Sequence, residues 1–366
     1  MIKARELSKA EYPLWDQLIA SSPQGKTFLR SDWLTMLSAT EPDIHDYVLG
    51  CFDDHERLVG GLALGYRQRG NMKIVNGYEF LYSGPVLMRW PDKSAASRAA
   101  KTSRVLDAIS KALQEDFAYV SMETQPTLTD VRSFVYGDWE VQPVYSHIWH
   151  VQNIEQAWAN MNHVKRNSIR HAKLTYAFDV EESDAAVLAF AKLYRDTMSK
   201  FHWLPSLSWE GTLLERFRWM HAHGGARLFT ARDQDKNVGG AVIVILSPDD
   251  KTGLLWRVGT SKTFIEDGGV PALYWHTVSN LASEYPNIDF GWSPQASLSQ
   301  FKDYMGADLE LHFRVIRCND PVRYKLYTST MSAKDSLYNL LAPVAFEPWQ
   351  RLRYGRKYQK TLEQTE

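Results

Sequence analysis

The stretch of this chain richest in usable chemistry reads Asp289-Phe-Gly-Trp-Ser-Pro-Gln-Ala-Ser297-Leu-Ser-Gln300-Phe301-Lys302. Ser297 and Gln300 have the S-x-x-Q spacing of a capping box, which predicts a helix starting there. Phe301 and Met305 would face the core, and Lys302 would point off that stripe in the second turn. A cation so close to a helix N-terminus costs about 0.3 kcal/mol or more through the dipole. Lys302 is therefore not placed for helix stability, and it reads either as an incidental surface lysine or as a charge required elsewhere. A second cationic cluster spans His163 to Lys173. Arg166, Arg170 and Lys173 fall at i, i+4 and i+7, on one helical face. No Asp or Glu lies between Gln156 and Phe178, so this face is either solvated or turned toward an anion. Two carboxylates, Glu123 and Asp289, stand at or beside the end of short apolar strands.

Several chemistries are excluded by what is missing. There is no H-E-x-x-H, C-x-x-C, G-x-S-x-G or Walker-type glycine loop. His147 and His150 lie three apart in a predicted strand and would point to opposite faces, so no metal is expected. The two cysteines, Cys51 and Cys318, are too few and too far apart for a disulfide framework. A net charge of -1 gives no global footprint for nucleic acid. The N-terminal MIKARELSKAEYPLW lacks an apolar signal core, and no run approaches the length of a membrane span. These features predict a cytoplasmic protein.

The elements that must carry these residues form a repeating plan. A chain of 366 residues predicts two domains. In the first half, helical spacing over Tyr12–Ala20 and a second helix from Ser31 precede strands at Tyr47–Phe52, Arg57–Arg67 and Glu79–Tyr82. The Ser83-Gly84-Pro85 turn, a long helix over Lys93–Glu115 and a strand at Tyr119–Met122 follow, then a strand at Val141–Val151. In the second half, helical patterns at 163–175, 184–201 and 208–222 lead to strands at Ala226–Ala231, Gly239–Leu246 and Gly253–Gly259. Gly268-Gly269 and Pro271 introduce a helix from Ala272 to Glu284, a strand at Ile288–Phe290, the Ser297 helix and a strand at Glu310–Ile316. In each half strands give way to a Gly/Pro turn, a long helix and a short strand. This predicts an α/β fold made of a duplicated unit, with mixed central sheets flanked by helices, rather than one large sheet. The divisions fall at 1–151, 152–318 and 319–366, the last a basic, aromatic, helical tail.

The order of elements, the basic Lys165–Lys173 helix, the Asp289-Phe-Gly strand end and the Phe301-Lys302-x-x-x-Gly306-Ala307 segment resemble FemAB-like proteins. These comprise Fem-type peptidyltransferases and acetyltransferase-like relatives of envelope biosynthesis. The resemblance covers about residues 5–320. It implies two tandem GNAT-type domains and an N-acyltransferase that moves an aminoacyl or acyl group to the amine of a peptidoglycan or polysaccharide precursor. It also implies roles. Lys302 would steady the negative charge forming on the acyl group. Glu123 would take the amine proton as general base. Arg166 and Arg170 would bind acceptor phosphates, with Phe301, Trp256, Tyr82 and Asp289 completing the substrate site. Trp256 stands where relatives carry Tyr, which removes a hydroxyl.

No bound cofactor is expected, because the donor, aminoacyl-tRNA or acyl-CoA, is a cosubstrate. Phe264-Ile-Glu266-Asp267-Gly268-Gly269-Val270-Pro271 occupies the place of a pyrophosphate loop. It carries two acids where a base belongs, and Pro271 lacks an amide donor. This tilts the reading from CoA toward aminoacyl-tRNA, whereas the absence of an inserted helical arm argues against tRNA. The tail from Trp349 to Lys360 has basic and aromatic residues and no acid, suited to RNA, a membrane surface or an acidic partner. Two other readings stand beside the first: acetyl-CoA-dependent modification of an exopolysaccharide, and a non-catalytic binding protein on the same scaffold.

Overall fold

A computed structural model describes residues 2–77, 82–199, 209–293 and 295–330. Its first half comprises β1 (Lys3–Glu6), α1 (Tyr12–Ser21), α2 (Ser31–Thr40), β2 (Ile44–Phe52), β3 (Leu58–Arg69), β4 (Met72–Val75), β5 (Val86–Leu87), α3 (Ala95–Asp116), β6 (Tyr119–Glu123), α4 (Arg132–Tyr136) and β7 (Glu140–His150). Its second half comprises α5 (Ile154–Asn160), α6 (His163–Thr175), β8 (Ala177–Val180), α7 (Asp184–Ser199), α8 (Trp209–Ala222), β9 (Ala226–Arg232), β10 (Val238–Ser247), β11 (Thr252–Thr260), α9 (Lys262–Glu266), α10 (Gly269–Leu281), β12 (Asn287–Trp292), α11 (Ala296–Met305) and β13 (Asp308–Cys318). The expected Glu79–Tyr82 strand falls mostly outside the described residues, and the Trp349–Lys360 tail falls wholly outside them.

Local sequence explains the main elements. The Ser94 hydroxyl accepts the Ser97 amide and caps α3, which buries Val105, Leu106, Ile109 and Leu113 at helical spacing. Asn162 caps α6 in the same way, accepting the Val164 amide at 2.9 Å. β10 is buried from Gly239 onward, as its unbroken apolar run requires of a central strand.

The strands form one sheet in the order β1-β2-β3-β4-β6-β13-β7-β12-β11-β10-β9-β8, with β5 added beside β3. This corrects the expectation of separate sheets. β7, last in the first half, pairs with β12 of the second, while β13, last in the second half, pairs with both β6 and β7. Each unit is completed by a strand of the other, so neither leaves an unpaired edge at the centre. One apolar cluster is shared between the halves and packs Trp15, Leu34 and Leu37 with Phe190, Phe217 and Ala241. Two others lie under α10 and under α3. Across the junction Arg30 holds Asp249 at 3.0 Å, and Lys26 pairs with Asp250.

Candidate active site

β11 and β12 run parallel but pair only from Thr252 to Leu254 against Asn287 to Asp289. Beyond that they part. Trp256 is an extra residue in β11, since Ile243 faces Arg257 while Val244 faces Leu255, and such a bulge bends a strand. Gly291, at φ 66°, turns the end of β12 in a conformation glycine adopts without steric cost. The fork opens onto a cleft of about 640 Å³. Leu255, Val258 and Thr260 wall it from β11, and Phe290 and Trp292 from β12. Gly268, Val270 and Pro271 at the start of α10 close one end, and Leu298, Phe301 and Lys302 of α11 form the floor.

Lys302 reaches this floor because it lies three residues before Met305, on the same buried side of α11, and it is only 3% exposed, not turned away to solvent. The helix begins at Ala296 behind Gln295, which makes no side-chain cap, so the Ser297–Gln300 box is not used. Its Nζ donates to the carbonyls of Phe290 (2.7 Å), Gly291 (2.8 Å) and Trp292 (3.2 Å). Burial pushes its pKa down to about 8, against the pull of Asp289. The three carbonyls also favour the charged form.

Asp289 and Tyr82 do not line the cleft. Both are buried, and the Tyr82 hydroxyl donates to Asp289 Oδ2 at 2.7 Å, with Ser146 Oγ at 3.0 Å. Asp289 Oδ1 accepts the Gly291 amide at 2.6 Å. Desolvation raises the Asp289 pKa, opposed by these hydrogen bonds and by Lys26 and Lys302. Both hold the β12 end, where the sequence reading had them among the substrate contacts. Trp256 does not line the cleft either: it packs edge-on to Trp33 and beneath Arg257. Phe301 does line the cleft, edge-to-face with Tyr274.

Glu123 is spoken for. Its Oε1 accepts Arg314 Nε (3.0 Å) and Nη2 (2.6 Å), and its Oε2 lies 3.2 Å from His312 Nε2. Burial alone would raise its pKa, but the His312 and Arg314 hydrogen bonds win and lower it. A carboxylate so paired is a weak proton acceptor, which argues against the general-base role expected of it. The Arg314 guanidinium lies over Trp292, whose 43% exposure puts its ring at the cleft mouth.

The basic helix divides its labour differently from expectation. Arg166 donates to the carbonyls of Trp158, Ala159 and Met161 and so closes the end of α5. Arg170 is exposed over Trp158. The cleft is instead met by Lys165, over the Phe301 ring, and by Ser168, beside Gly268. Of the two acids in the Gly268 loop only Glu266 borders the cleft, and Asp267 accepts the Tyr176 hydroxyl. Sequence reasoning also missed His147, which is buried with Nε2 3.1 Å from Asp303. Desolvation, then Lys302, lowers the His147 pKa against Asp303 and so favours the neutral ring. Among the described residues no group of His, Cys, Asp or Glu is arranged to hold a metal, and no helix is long and apolar enough to cross a membrane.

Neither protein-family models nor curated proteins give a match to this sequence. Solved structures do. FemX superposes with a TM-score of 0.61 at 12% identity, over 88% of this chain and 99% of FemX. A tandem GNAT protein from the clavulanic acid biosynthesis pathway gives 0.54 at 10% identity, over 86% and 98%. The C-terminal domain of a putative lysylphosphatidylglycerol synthetase from Agrobacterium fabrum gives 0.52 at 12%, over 88% and 96%. At such identities the likeness is one of fold, and the chain has the tandem GNAT-type architecture.

Proposed function

We propose that this protein is an N-acyltransferase that moves an acyl or aminoacyl group to the amine of a cell-envelope precursor. The observation that carries the reading is Lys302, a buried ammonium at the floor of an open fork between two parallel strands. In the reaction the amine nitrogen bonds to the acyl carbon, the bond from that carbon to its carrier breaks, and the carrier leaves with the amine proton. The Lys302 contact at 3.2 Å to the Trp292 carbonyl is the longest of its three and the readiest to yield to an oxyanion. A preorganised donor stabilises that charge far better than solvent does. Lys165 and Lys302 against Glu266 leave the cleft with an excess positive charge, which suits a donor carrying phosphate. The likeness in fold to the C-terminal domain of a putative lysylphosphatidylglycerol synthetase supports an aminoacyl donor and an envelope acceptor.

A CoA thioester is the second reading. It is favoured by the left-handed Gly268 that opens α10 on the cleft wall, since a helix N-terminus attracts pyrophosphate. Thermal unfolding in the presence of acetyl-CoA, longer acyl-CoAs or aminoacyl-tRNA separates the two, because only a bound donor raises Tm with concentration. Radiolabelled acyl transfer to UDP-linked muropeptides then tests the acceptor. Absence of any donor-dependent shift in wild type and Lys302→Ala alike would leave only a binding protein.

A further inference from the structure

We propose that Tyr82, contributed by the first half, is a positioning residue for Lys302: through Asp289 and the Gly291 peptide it holds the carbonyls that receive the ammonium. The chain of contacts is short and buried. The Tyr82 hydroxyl donates to Asp289 Oδ2 at 2.7 Å, Asp289 Oδ1 accepts the Gly291 amide at 2.6 Å, and the Gly291 carbonyl accepts Lys302 Nζ at 2.8 Å. The Phe290–Gly291 peptide unit is thus gripped on both sides, its N–H by Asp289 and its carbonyl by Lys302 at 2.7 Å, and the grip begins on the other half of the molecule. Gly291 needs such a grip because its positive φ and the parting of β12 from β11 leave this turn without ladder bonds to β11.

The same chain couples charge. Without the Tyr82 hydroxyl the Asp289 carboxylate loses a donor and its neutral form is favoured. Lys302 then loses negative charge beside it, and its ammonium is less favoured. Other charged groups bear on this pair. His147 of β7 and Asp303 of α11 sit beside Lys302, and Lys165 of α6 and Glu266 of α9 border its cleft. Lys26, before α2, lies over the Tyr82 ring while paired with Asp250, and Glu310 of β13 acts on Tyr82 from below. None of them hydrogen-bonds Asp289, so the phenol is the side chain whose removal acts on that carboxylate first.

The kinetic consequence rests on the acyl-transfer reading, whereas the titration of Lys302 does not. The test uses the full chain labelled with ¹³Cε-lysine, with the Lys302 resonance assigned through Lys302→Arg. Its titration midpoint is followed in wild type, Tyr82→Phe, Asp289→Asn and the double variant. The expected result is a midpoint lowered by about half a unit or more in Tyr82→Phe, further in Asp289→Asn, and no further in the double variant. An unchanged midpoint in Tyr82→Phe, or additive shifts in the double variant, overturns the proposal. Tyr82→Phe alone decides the matter should Asp289→Asn not fold. If transfer activity is measurable, the alkaline limb of the rate profile moves with the midpoint. An absence of activity together with the expected titration would sink the enzymatic reading and leave this one standing.

Discussion

Asp289 and Lys302 meet the same peptide unit from opposite sides: the carboxylate accepts the Gly291 amide, and the ammonium donates to the Phe290 carbonyl. The pair is not in direct hydrogen-bonding contact, yet each sets the other's surroundings. A buried acid and a buried base are thereby held at the tip of the strand fork where a reacting carbonyl would sit.

The first prediction concerns the charge on Lys302. With its pKa held down to about 8, a rate that needs the ammonium falls as pH rises through that value. Lys302→Ala lowers kcat by roughly a hundredfold or more, the scale of losing one oxyanion donor. A pH–rate profile flat from 7 to about 9.5 would show that the ammonium takes no part.

Stability gives an independent reading of the same group. The folded pKa lies below the unfolded value near 10.5, so Lys302 contributes stability that is present above that value and is lost as pH falls through about 8. Lys302→Met lacks this dependence. Its stability relative to wild type therefore declines on going from pH 7 to about 10.5, by on the order of 3 kcal/mol. Urea unfolding of both proteins across that range measures it, and a constant difference would mean that the lysine is not shifted.

Glu123 separates a base from an anchor. If it were the general base, Glu123→Gln would abolish the acid limb of the profile and cost 10²–10⁴ in rate, on the usual scale of acid–base catalysis. Because Arg314 and His312 occupy it, the expected outcome is a rate within about tenfold of wild type and an unmoved acid limb. The same change costs about 1–2 kcal/mol by leaving Arg314 without its partner. The depressed Glu123 pKa makes this contribution full above the unfolded value near 4.5 and lost as pH falls through the folded one.

Packing around the glycine loop supplies a prediction free of charge effects. Phe264 is wedged against Gly240 of β10 and Gly269 of α10, where an added methyl would collide with its ring. Gly269→Ala is expected to cost about 1–3 kcal/mol by overpacking. Phe264→Leu in the same chain should recover part of that loss, because the clash lies with the ring. A double-mutant cycle by thermal unfolding checks the coupling, and strictly additive losses would place the strain elsewhere.

Much of the fold was legible because period and punctuation agree. The 3.6-residue spacing of Val105, Leu106, Ile109 and Leu113 and the apolar run of β10 each leave one choice of element. The exchange of β7 and β13 was not legible, because pairing between distant strands leaves no mark in either strand's own pattern. The site was legible in part. Lys302 and Phe301 stand out, but how wide the buried side of α11 is, and so whether it takes in Lys302 beside Met305, depends on tertiary packing. His312 and Arg314 alternate on β13 opposite Glu123, a pattern of period two that shows only once the register is known. Tyr82 and Asp289 stand out as residues, but that both are buried and off the cleft lining is a tertiary property.

The basic helix offers the sharpest contrast between neighbours, and it bears on which cation meets the donor. Lys165 borders the cleft above Phe301, three residues before Ser168 on the same side of α6. Arg166, the next residue, has its guanidinium committed to three carbonyls at the end of α5. Lys165→Ala should raise the KM for a phosphate-bearing donor by about tenfold with kcat little changed, the signature of lost uniform binding. Added salt should weaken donor binding in the wild type and do so less in the variant, because one screened attraction is gone. Arg166→Ala should instead lower Tm with KM unchanged, since it orphans carbonyls and touches no donor. Steady-state kinetics at two salt concentrations with thermal unfolding of both variants settles the assignment. A KM effect confined to Arg166→Ala would give the donor contact to Arg166 instead.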